Sequence, residues 1–213
     1  MIDVVLPVLD EVDALAPVLG TIPDGFRPIV VDNGSSDGSG NRARQLGAVV
    51  VHEPRRGFGS ACAAGLARAE SDVVCFMDCD GSLDPAELPR VCAPIVAADA
   101  ELVLGARQAT AGAWPSHARA ANRLLMMEVR RRSGLRLADL GPMRAAAREQ
   151  LVALGIRDRR FGWPLEMVLR AAEVGWRIEE VSVAYSPRIG RSKVTGTARG
   201  TFLTALDMAR AFR

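Results

Sequence analysis

Lysine is almost absent from this 213-residue chain: Lys193 is the only one, so nearly all of the 27 basic residues are arginine. The formal net charge of +2 is too small to indicate nucleic acid as a partner. A GC-rich genome would explain the arginine bias without any function. Arginine also binds phosphate in a bidentate manner where it lines a site, so the bias is compatible with a phosphate-containing ligand.

Long hydrophobic runs are also lacking. No uninterrupted apolar segment approaches the ~20 residues that a membrane span requires. The chain enters an apolar strand at Ile2, with no basic or apolar region typical of a signal peptide before it. We therefore expect a cytoplasmic protein that makes at most peripheral contact with the inner face of the membrane.

Potential zinc ligands are few and poorly spaced. They are Cys62, Cys75, Cys79, Cys92, His52 and His117. The closest cysteine pair, Cys75 and Cys79, does not match the usual zinc spacings. Reduced and mostly buried thiols are the expected state.

Apolar segments alternate with helical patterns along the chain, as in βαβ units with a parallel sheet. The predicted strands are 2–8, 28–37 (ending in a polar loop), 48–53, 72–78, 101–107 and 176–185. The predicted helices are 11–19, 38–46, 57–69, one that begins at Asp84, 116–133, 164–174 and 201–212, and 136–150 is expected to be irregular with a short helix. The pattern predicts a single α/β domain with a first half (1–107), a second half (108–185) and a basic flexible loop followed by a helix (186–213).

Two aspartates end the most apolar of these strands. The run of Val73 to Met77 stops at Asp78 and Asp80, which are separated by one residue and followed by Gly81. Open α/β sheets bind ligands at the carboxyl ends of their strands, and Mg²⁺ or Mn²⁺ is held by one or two carboxylates together with substrate phosphates. The same residues would also suit a strand that ends in a polar turn.

Other strand ends carry further polar groups that would meet at the same edge. Asp32 can accept hydrogen bonds from a nucleobase, and Glu11 suits a ribose hydroxyl. Gly57 and Gly59 would let backbone approach a ligand at a helix N-terminus. Arg107 adds a guanidinium after the fifth strand. Each feature alone could be structural, but their convergence indicates a nucleotide site.

The ordered motifs resemble family 2 glycosyltransferases, most closely the branch of dolichyl-phosphate mannose synthases and polyprenyl-phosphate glycosyltransferases. They are PVLDE (7–11), VVDNGSSDGS (30–39), GFGSACAAGL (57–66), FMDCDG (76–81), GAR (105–107) and RIGRSKVTG (188–196). The resemblance implies a GT-A fold with a mostly parallel, twisted central sheet flanked by helices. It also implies inverting transfer of a sugar from a UDP- or GDP-linked donor, with Mg²⁺ or Mn²⁺ bridging the diphosphate.

The resemblance also implies that 1–107 is a nucleotide-binding half, that 108–185 is an acceptor-side half, and that particular residues have defined roles. Pro7, Glu11 and Asp32 would contact the nucleoside, Asp78 and Asp80 would bind the metal, and Arg107, Arg188, Ser192 and Lys193 would neutralise phosphate charge. The sequence departs from the usual pattern at Asn33, where a second aspartate is frequent, and at Cys79, where alanine is more usual. Members of the polyprenyl-phosphate branch often carry C-terminal membrane helices that are not seen here, so the acceptor is expected to be either polyprenyl phosphate or a soluble hydroxyl compound.

Two carboxylates in the second half are candidates for a general base, which a hydroxyl acceptor needs and an ionised phosphate does not. Asp139 precedes a Gly-Pro turn and could instead pair with Arg144. Glu166 lies near a helix start, where the helix dipole alone could explain it. Asp139 is the favoured candidate.

The arginine-rich helix 116–133 could lie on an anionic membrane or simply present a solvated face.

Two other functional classes compete with a glycosyltransferase. A sugar-phosphate nucleotidyltransferase would be expected to carry a glycine-rich basic loop after the first strand, and LPVLDEVD at 6–13 has neither glycine nor a basic residue. A non-catalytic module that binds nucleotide sugars would not need both Asp78 and Asp80 or the basic tail. Both alternatives stay open on the sequence alone.

Overall fold

The computed structural model describes residues 1–190. Its strands are β1 (Ile2–Val8), β2 (Phe26–Asp32), β3 (Val49–His52), β4 (Val73–Phe76), β5 (Leu102–Ala109), β6 (Met143–Ala147) and β7 (Ile178–Tyr185). Its helices are α1 (Val12–Leu19), α2 (Ser39–Gln45), α3 (Phe58–Arg68), α4 (Leu88–Val96), α5 (Ser116–Ser133), α6 (Arg148–Ala153) and α7 (Trp163–Glu173). A 3₁₀ turn at Pro85–Glu87 leads into α4.

The strands form one seven-stranded sheet in the order β3-β2-β1-β4-β6-β5-β7. Strand β6 runs antiparallel to both of its neighbours, β4 and β5, whereas all other pairs are parallel. The carboxyl ends of six strands therefore share one edge of the sheet with the amino end of β6. We call this the carboxyl edge, and every polar group discussed below as part of the site lies at or near it.

Helices cover both faces of the sheet. Helices α1, α2 and α4 pack over one hydrophobic core, and α3, α5 and α7 over the other. In the second core, the ring of the buried Trp163 meets that of Phe76 edge-on, with 4.8 Å between centroids. Helix α3 approaches β1 closely because Gly65 has no side chain: a Cβ there would lie 2.2 Å from Val5 Cγ1.

A buried carboxylate fastens the opposite end of the sheet. Asp3 is fully buried and accepts two hydrogen bonds from Arg27, from Nε at 2.6 Å and from Nη2 at 2.9 Å. It also accepts the backbone N–H groups of Glu70 and Ser71. Burial by itself would raise the pKa of Asp3, but these hydrogen bonds lower it to about 2. The interaction joins β1, β2 and the segment before β4.

Within residues 1–190, the predicted order of strands and helices is confirmed except between residues 136 and 150. That segment was expected to be irregular with a short helix, but Met143–Ala147 forms β6 and α6 follows it directly. The prediction was wrong because this alanine-rich stretch has little β propensity of its own. Its strand conformation comes from pairing with β4 and β5.

Two further predictions concern composition and length. All four cysteines are free and buried, as expected. Within residues 1–190, no helix is both long enough and apolar enough to cross a bilayer. The predicted helix 201–212 lies outside the described residues.

Candidate active site

The loop that follows β2 holds the start of α1 in place. Ser35 and Ser39 accept hydrogen bonds through their hydroxyls from the backbone N–H groups of Asp10 and Glu11, at 3.0 and 2.9 Å. A carboxylate oxygen of Asp37 accepts the next N–H of α1 at 3.0 Å. The serine-rich motif therefore caps a neighbouring helix in space. It fixes the position from which the Glu11 side chain reaches the carboxyl edge.

Asp32, predicted to contact the nucleobase, ends β2 beside a small cavity. Its Oδ1 accepts the backbone N–H of Ser35 at 2.9 Å, and its Oδ2 lies 3.9 Å from His52 Nδ1. A Cβ on Gly40 would come within 2.5 Å of Oδ2, so the glycine makes room for the carboxylate. Asp32 and His52 line a cavity of about 250 Å³. Pro7, the other predicted nucleoside contact in this region, lies near the end of β1, opposite Val31.

Asn33 cross-links the loops that follow β2 and β3. Its side-chain NH₂ donates to the carbonyl oxygens of Glu53 and Arg55, at 2.9 and 2.8 Å, and its Oδ1 accepts the Gly57 N–H at 2.7 Å. An aspartate has no side-chain N–H to donate to two carbonyls. The asparagine found here is therefore matched to this loop, a role that the sequence alone did not indicate.

Gly57 and Gly59, predicted to let backbone approach a ligand, make close contacts with the protein itself. A Cβ on Gly57 would lie 2.1 Å from the Arg159 carbonyl oxygen, and one on Gly59 would lie 2.7 Å from that of Asp158. The N–H of Gly59 donates to the Arg160 carbonyl at 2.9 Å. These glycines let the segment before α7 pack against the start of α3.

The acidic pair after β4 behaves as two closely spaced carboxylates. Burial, and next the negative charge of Asp80, raise the pKa of Asp78 from 3.8 to about 6. Within residues 1–190, the Asp78 side chain has no hydrogen bond or ion pair shorter than 4.0 Å. Asp80 Oδ1 accepts the backbone N–H of Ser82 at 2.9 Å. Asp78 is therefore a buried carboxylate next to a second negative charge, and the positive charges of Arg144, Arg107 and Arg188 only partly offset the rise in its pKa.

Arg188 lies between Asp80 of this pair and Glu11. Its Nη2 is 2.6 Å from Glu11 Oε1, and its Nη1 is 3.3 Å from Asp80 Oδ2. The predicted phosphate-binding arginine is thus held by two of the carboxylates predicted to bind the donor and the metal. Ser192 and Lys193, predicted to act with Arg188, lie outside the described residues.

Arg107 and Asp139 form a buried ion pair on the other side of Asp78. Asp139 is 2% exposed, and its carboxylate accepts from the Arg107 backbone N–H at 3.1 Å and from Nε and Nη2 at 2.7 Å each. Although burial opposes it, this pairing raises the pKa of Arg107. The suggested alternative of pairing with Arg144 is wrong, because the antiparallel β6 brings Asp139 back to the end of β5. The guanidinium also stacks on Trp114, 3.8 Å from its centroid, and approaches Tyr185 at 5.5 Å.

Arg144 is a third positive charge close to Asp78. It is 4% exposed, its Nε donates to the Leu140 carbonyl at 3.3 Å, and its Nη1 has no hydrogen-bond partner in the described part of the chain. It lies opposite Phe76 in the β4–β6 pair. Burial lowers the pKa of Arg144, and the negative charge of Asp78 opposes this effect. Its position beside Asp78 could not be predicted from the sequence, where it was considered only as a possible partner of Asp139.

Glu166, the second candidate base, accepts hydrogen bonds from the segment before its own helix. Its carboxylate accepts the backbone N–H groups of Arg157 and Asp158, at 3.0 and 2.6 Å, and the Arg170 Nε at 2.6 Å. Burial opposes these contacts, yet the backbone hydrogen bonds and Arg170 lower the pKa of Glu166. Every oxygen is engaged, so Glu166 acts as a helix-start anchor.

The acidic pair has the chemistry of a divalent-metal site that the substrate completes. Two carboxylates one residue apart are hard oxygen ligands, and one of them lacks a countercharge contact in the described part of the chain. No cluster of three or more histidine, cysteine or acidic side chains suited to a metal occurs among residues 1–190. Asp78 and Asp80 would supply only part of an ion's coordination shell, so they would fit a divalent ion only together with other oxygen ligands such as substrate phosphate.

Comparison with known structures defines the class of fold. Glucosyl-3-phosphoglycerate synthase from Mycobacterium tuberculosis, crystallised with Mg²⁺ and UDP, superposes with a TM-score of 0.81 at 24% identity, covering 100% of this chain and 78% of that one. This likeness identifies the GT-A fold of nucleotide-sugar transferases.

Sequence comparison defines the family. Residues 3–153 match the model of glycosyl transferase family 2. A protein named as an uncharacterized glycosyltransferase of Mycobacterium tuberculosis is 45% identical over 97% of this chain and 95% of its own length. The undecaprenyl-phosphate mannosyltransferase of Micrococcus luteus is 32% identical over 90% of this chain and 86% of its own. The chain belongs to glycosyl transferase family 2 and is a nucleotide-sugar-dependent glycosyltransferase, which decides against the two competing classes.

Proposed function

We propose that the enzyme transfers a sugar, with inversion, from a UDP- or GDP-linked donor to the ionised oxygen of a polyprenyl phosphate. The observation that carries this proposal is the state of the two acceptor-side carboxylates. Asp139 accepts three hydrogen bonds from Arg107, and Glu166 accepts hydrogen bonds from Arg170 and two backbone N–H groups. Every oxygen of the two carboxylates thus already accepts a hydrogen bond from the protein, and we infer that neither residue takes a proton from the acceptor. A phosphate oxygen that is already ionised needs no such base.

The donor would bind across the carboxyl ends of β1, β2 and β4. Asp32 would accept hydrogen bonds from the base and Glu11 from the ribose, while Asp78 and Asp80 would hold Mg²⁺ or Mn²⁺ on the diphosphate. Such an ion stabilises the negative charge that develops on the departing nucleotide. The positive charges of Arg107 and Arg188 would act on phosphate oxygens of the bound ligands.

Arg107 is organised to hold the acceptor phosphate. Its Nε and Nη2 are occupied by Asp139, which leaves Nη1 for another acceptor, and its plane is fixed by Trp114. A guanidinium that is already oriented loses little conformational freedom when it binds phosphate. The Asp139 carboxylate is therefore proposed as the residue that positions Arg107.

Relatives and the surface of α5 support a lipid acceptor. The Micrococcus luteus relative is named as an undecaprenyl-phosphate mannosyltransferase. On α5, Leu124 and Met127 are each 67% exposed, on a helix that also carries Arg119, Arg123 and Arg130. Basic residues around exposed apolar side chains are typical of helices that lie on anionic membranes. We propose that this helix rests on the membrane beside the site.

The test compares two acceptors that differ only in the phosphate. Labelled UDP- and GDP-sugars are offered with Mn²⁺ and either undecaprenyl phosphate or undecaprenol in the same detergent. We expect a glycolipid only from undecaprenyl phosphate, with a sugar–phosphate bond that mild acid cleaves. Transfer to undecaprenol at a similar rate, or to neither lipid, would refute the proposed acceptor.

A further inference from the structure

The segment that follows β7 is fastened to the loop that carries the acidic pair. We call residues 186–190 the strap. The Ser186 N–H donates to the Ser82 carbonyl at 2.9 Å, and the Ile189 N–H donates to the Asp80 carbonyl at 2.8 Å. These bonds tie the strap to the backbone of Asp80 itself. Movement of the strap would therefore also move the backbone of Asp80.

The loop below the strap is shaped to receive it. Gly81 has a φ of +77°, and a Cβ there would lie 2.8 Å from Ile189 Cδ1. A larger residue would both strain the loop and collide with the strap. The glycine of the Asp-x-Asp-Gly motif thus permits the strap to pack over the acidic pair.

This packing places the Arg188 guanidinium between two carboxylates with different expected ligands. Its nitrogens lie 2.6 Å from Glu11 and 3.3 Å from Asp80. The side chains of Arg188, Glu11 and Asp80 are 24%, 12% and 13% exposed, so solvent screens this ion-pair triad only in part. Arg188 Nε is buried without a hydrogen-bond partner. The arginine supplies positive charge next to the proposed metal site, and its Nε–H has no acceptor among residues 1–190.

We propose that Arg188 is a resident cation that the donor complex displaces, so that the divalent ion and the nucleoside diphosphate bind together and neither binds well alone. This inference rests on the proposed function. An ion alone must compete with Arg188 for Asp80, and a nucleoside alone must compete with it for Glu11. A diphosphate that arrives with the ion offers Arg188 new anionic partners in exchange for both carboxylates.

This exchange predicts opposite effects of one substitution on two ligands. Replacing Arg188 by glutamine removes the competing charge from Asp80, so the variant should bind Mn²⁺ alone about fivefold more tightly than the parent. It also removes a cation that contacts the diphosphate after the exchange, so the variant should bind UDP or GDP with Mn²⁺ about tenfold more weakly. A residue that merely binds phosphate would change only the second affinity.

The experiment measures free Mn²⁺ by electron paramagnetic resonance during titration of the protein with Mn²⁺ alone, and then with UDP or GDP present. Arg188→Gln is compared with the parent and with Arg177→Gln, which removes an exposed pair with Glu101 and should change neither affinity. If Arg188→Gln does not fold, Ile189→Pro takes its place, because it removes the N–H that ties the strap to Asp80. It should also tighten the binding of Mn²⁺ alone.

The outcomes separate this inference from the function on which it rests. Equal or weaker binding of Mn²⁺ alone by Arg188→Gln, or by Ile189→Pro in its place, overturns the resident-cation proposal, even if the parent binds nucleotide with Mn²⁺ normally. Failure of the parent to bind either UDP or GDP with Mn²⁺ overturns the proposed function. Tighter Mn²⁺ binding together with weaker nucleotide binding supports the exchange.

Discussion

Replacing Asp78 by asparagine should stabilise the metal-free protein at pH 7.5, although it removes a residue proposed to bind the metal. Burial and the adjacent Asp80 raise the pKa of Asp78 from 3.8 to about 6. That rise corresponds to about 3 kcal/mol of unfavourable free energy above pH 6. Because the side chain is only partly buried, we expect a gain of about 1–3 kcal/mol in the free energy of unfolding.

The pH dependence follows from the direction of the pKa change. Between about pH 4 and pH 6 the folded protein binds more protons at Asp78 than the unfolded chain does, so Asp78 lowers stability as the pH rises through this window. Asparagine does not ionise, and its advantage should grow over the same window and vanish below pH 4.

Urea denaturation without metal, at pH 4 and pH 7.5, measures this difference. Asp72→Asn, which changes an exposed aspartate just before β4, is the matched control and should have no effect. An Asp78→Asn variant that is less stable than the parent at pH 7.5, or a difference that does not depend on pH, would show that the two carboxylates do not repel each other as described.

Three further substitutions test the fold and the acceptor side. Asp3→Asn should lower the free energy of unfolding at pH 7 by about 3 kcal/mol in urea denaturation, because Arg27 loses its charged partner. This loss should shrink between pH 4 and pH 2, since the pKa of Asp3 is about 2 in the folded protein against 3.8 ordinarily. A loss that stays constant over that range would contradict the ion pair between Asp3 and Arg27. Asp139→Asn should raise the KM for the acceptor about tenfold and leave the pH profile of kcat unchanged, because it loosens Arg107 and removes no base. A fall in kcat that depends on pH would indicate instead that Asp139 is a general base. Gly65→Ala should destabilise the protein by about 1–3 kcal/mol, because its Cβ would lie 2.2 Å from a β1 side chain; an unchanged denaturation midpoint would mean that α3 can move away from the sheet freely.

The sequence could predict the carboxyl edge because this edge depends on local signals. Each apolar strand ends at a polar or glycine-containing motif, and parallel strands bring such ends together whatever their order in the sheet. Asp32, Asp78 and Arg107 were placed there for this reason. The position of the acidic pair at the carboxyl edge could be predicted without knowledge of any long-range contact.

The contacts within the site could not be predicted in the same way. Arg107 and Asp139 are 32 residues apart and meet only because β6 is inserted antiparallel between β4 and β5. The alanine-rich β6 segment has no sequence pattern typical of a strand. Its antiparallel direction, and therefore the partner of Asp139, could not be predicted. The pairing of Arg188 with Glu11 spans 177 residues and depends on how the strap packs on Gly81.

The glycines show a related limit. A glycine at a helix start is equally suited to approaching a ligand and to approaching another segment of the chain. Gly57 and Gly59 contact the backbone of residues 158–160, and no local sequence pattern near either segment predicts this contact. It becomes visible only in the packing of α7 against α3.

The central claim is that Asp78 and Asp80 hold a divalent ion on the diphosphate of the donor, and the most direct measurement is the melting temperature with UDP- and GDP-sugars in the presence and absence of Mn²⁺. We expect the parent to gain stability only when a nucleotide sugar and Mn²⁺ are both present. Asp78→Asn and Asp80→Ala should remain folded and show no such gain. A shift of the same size without Mn²⁺, or one that persists in both variants, would contradict the claim.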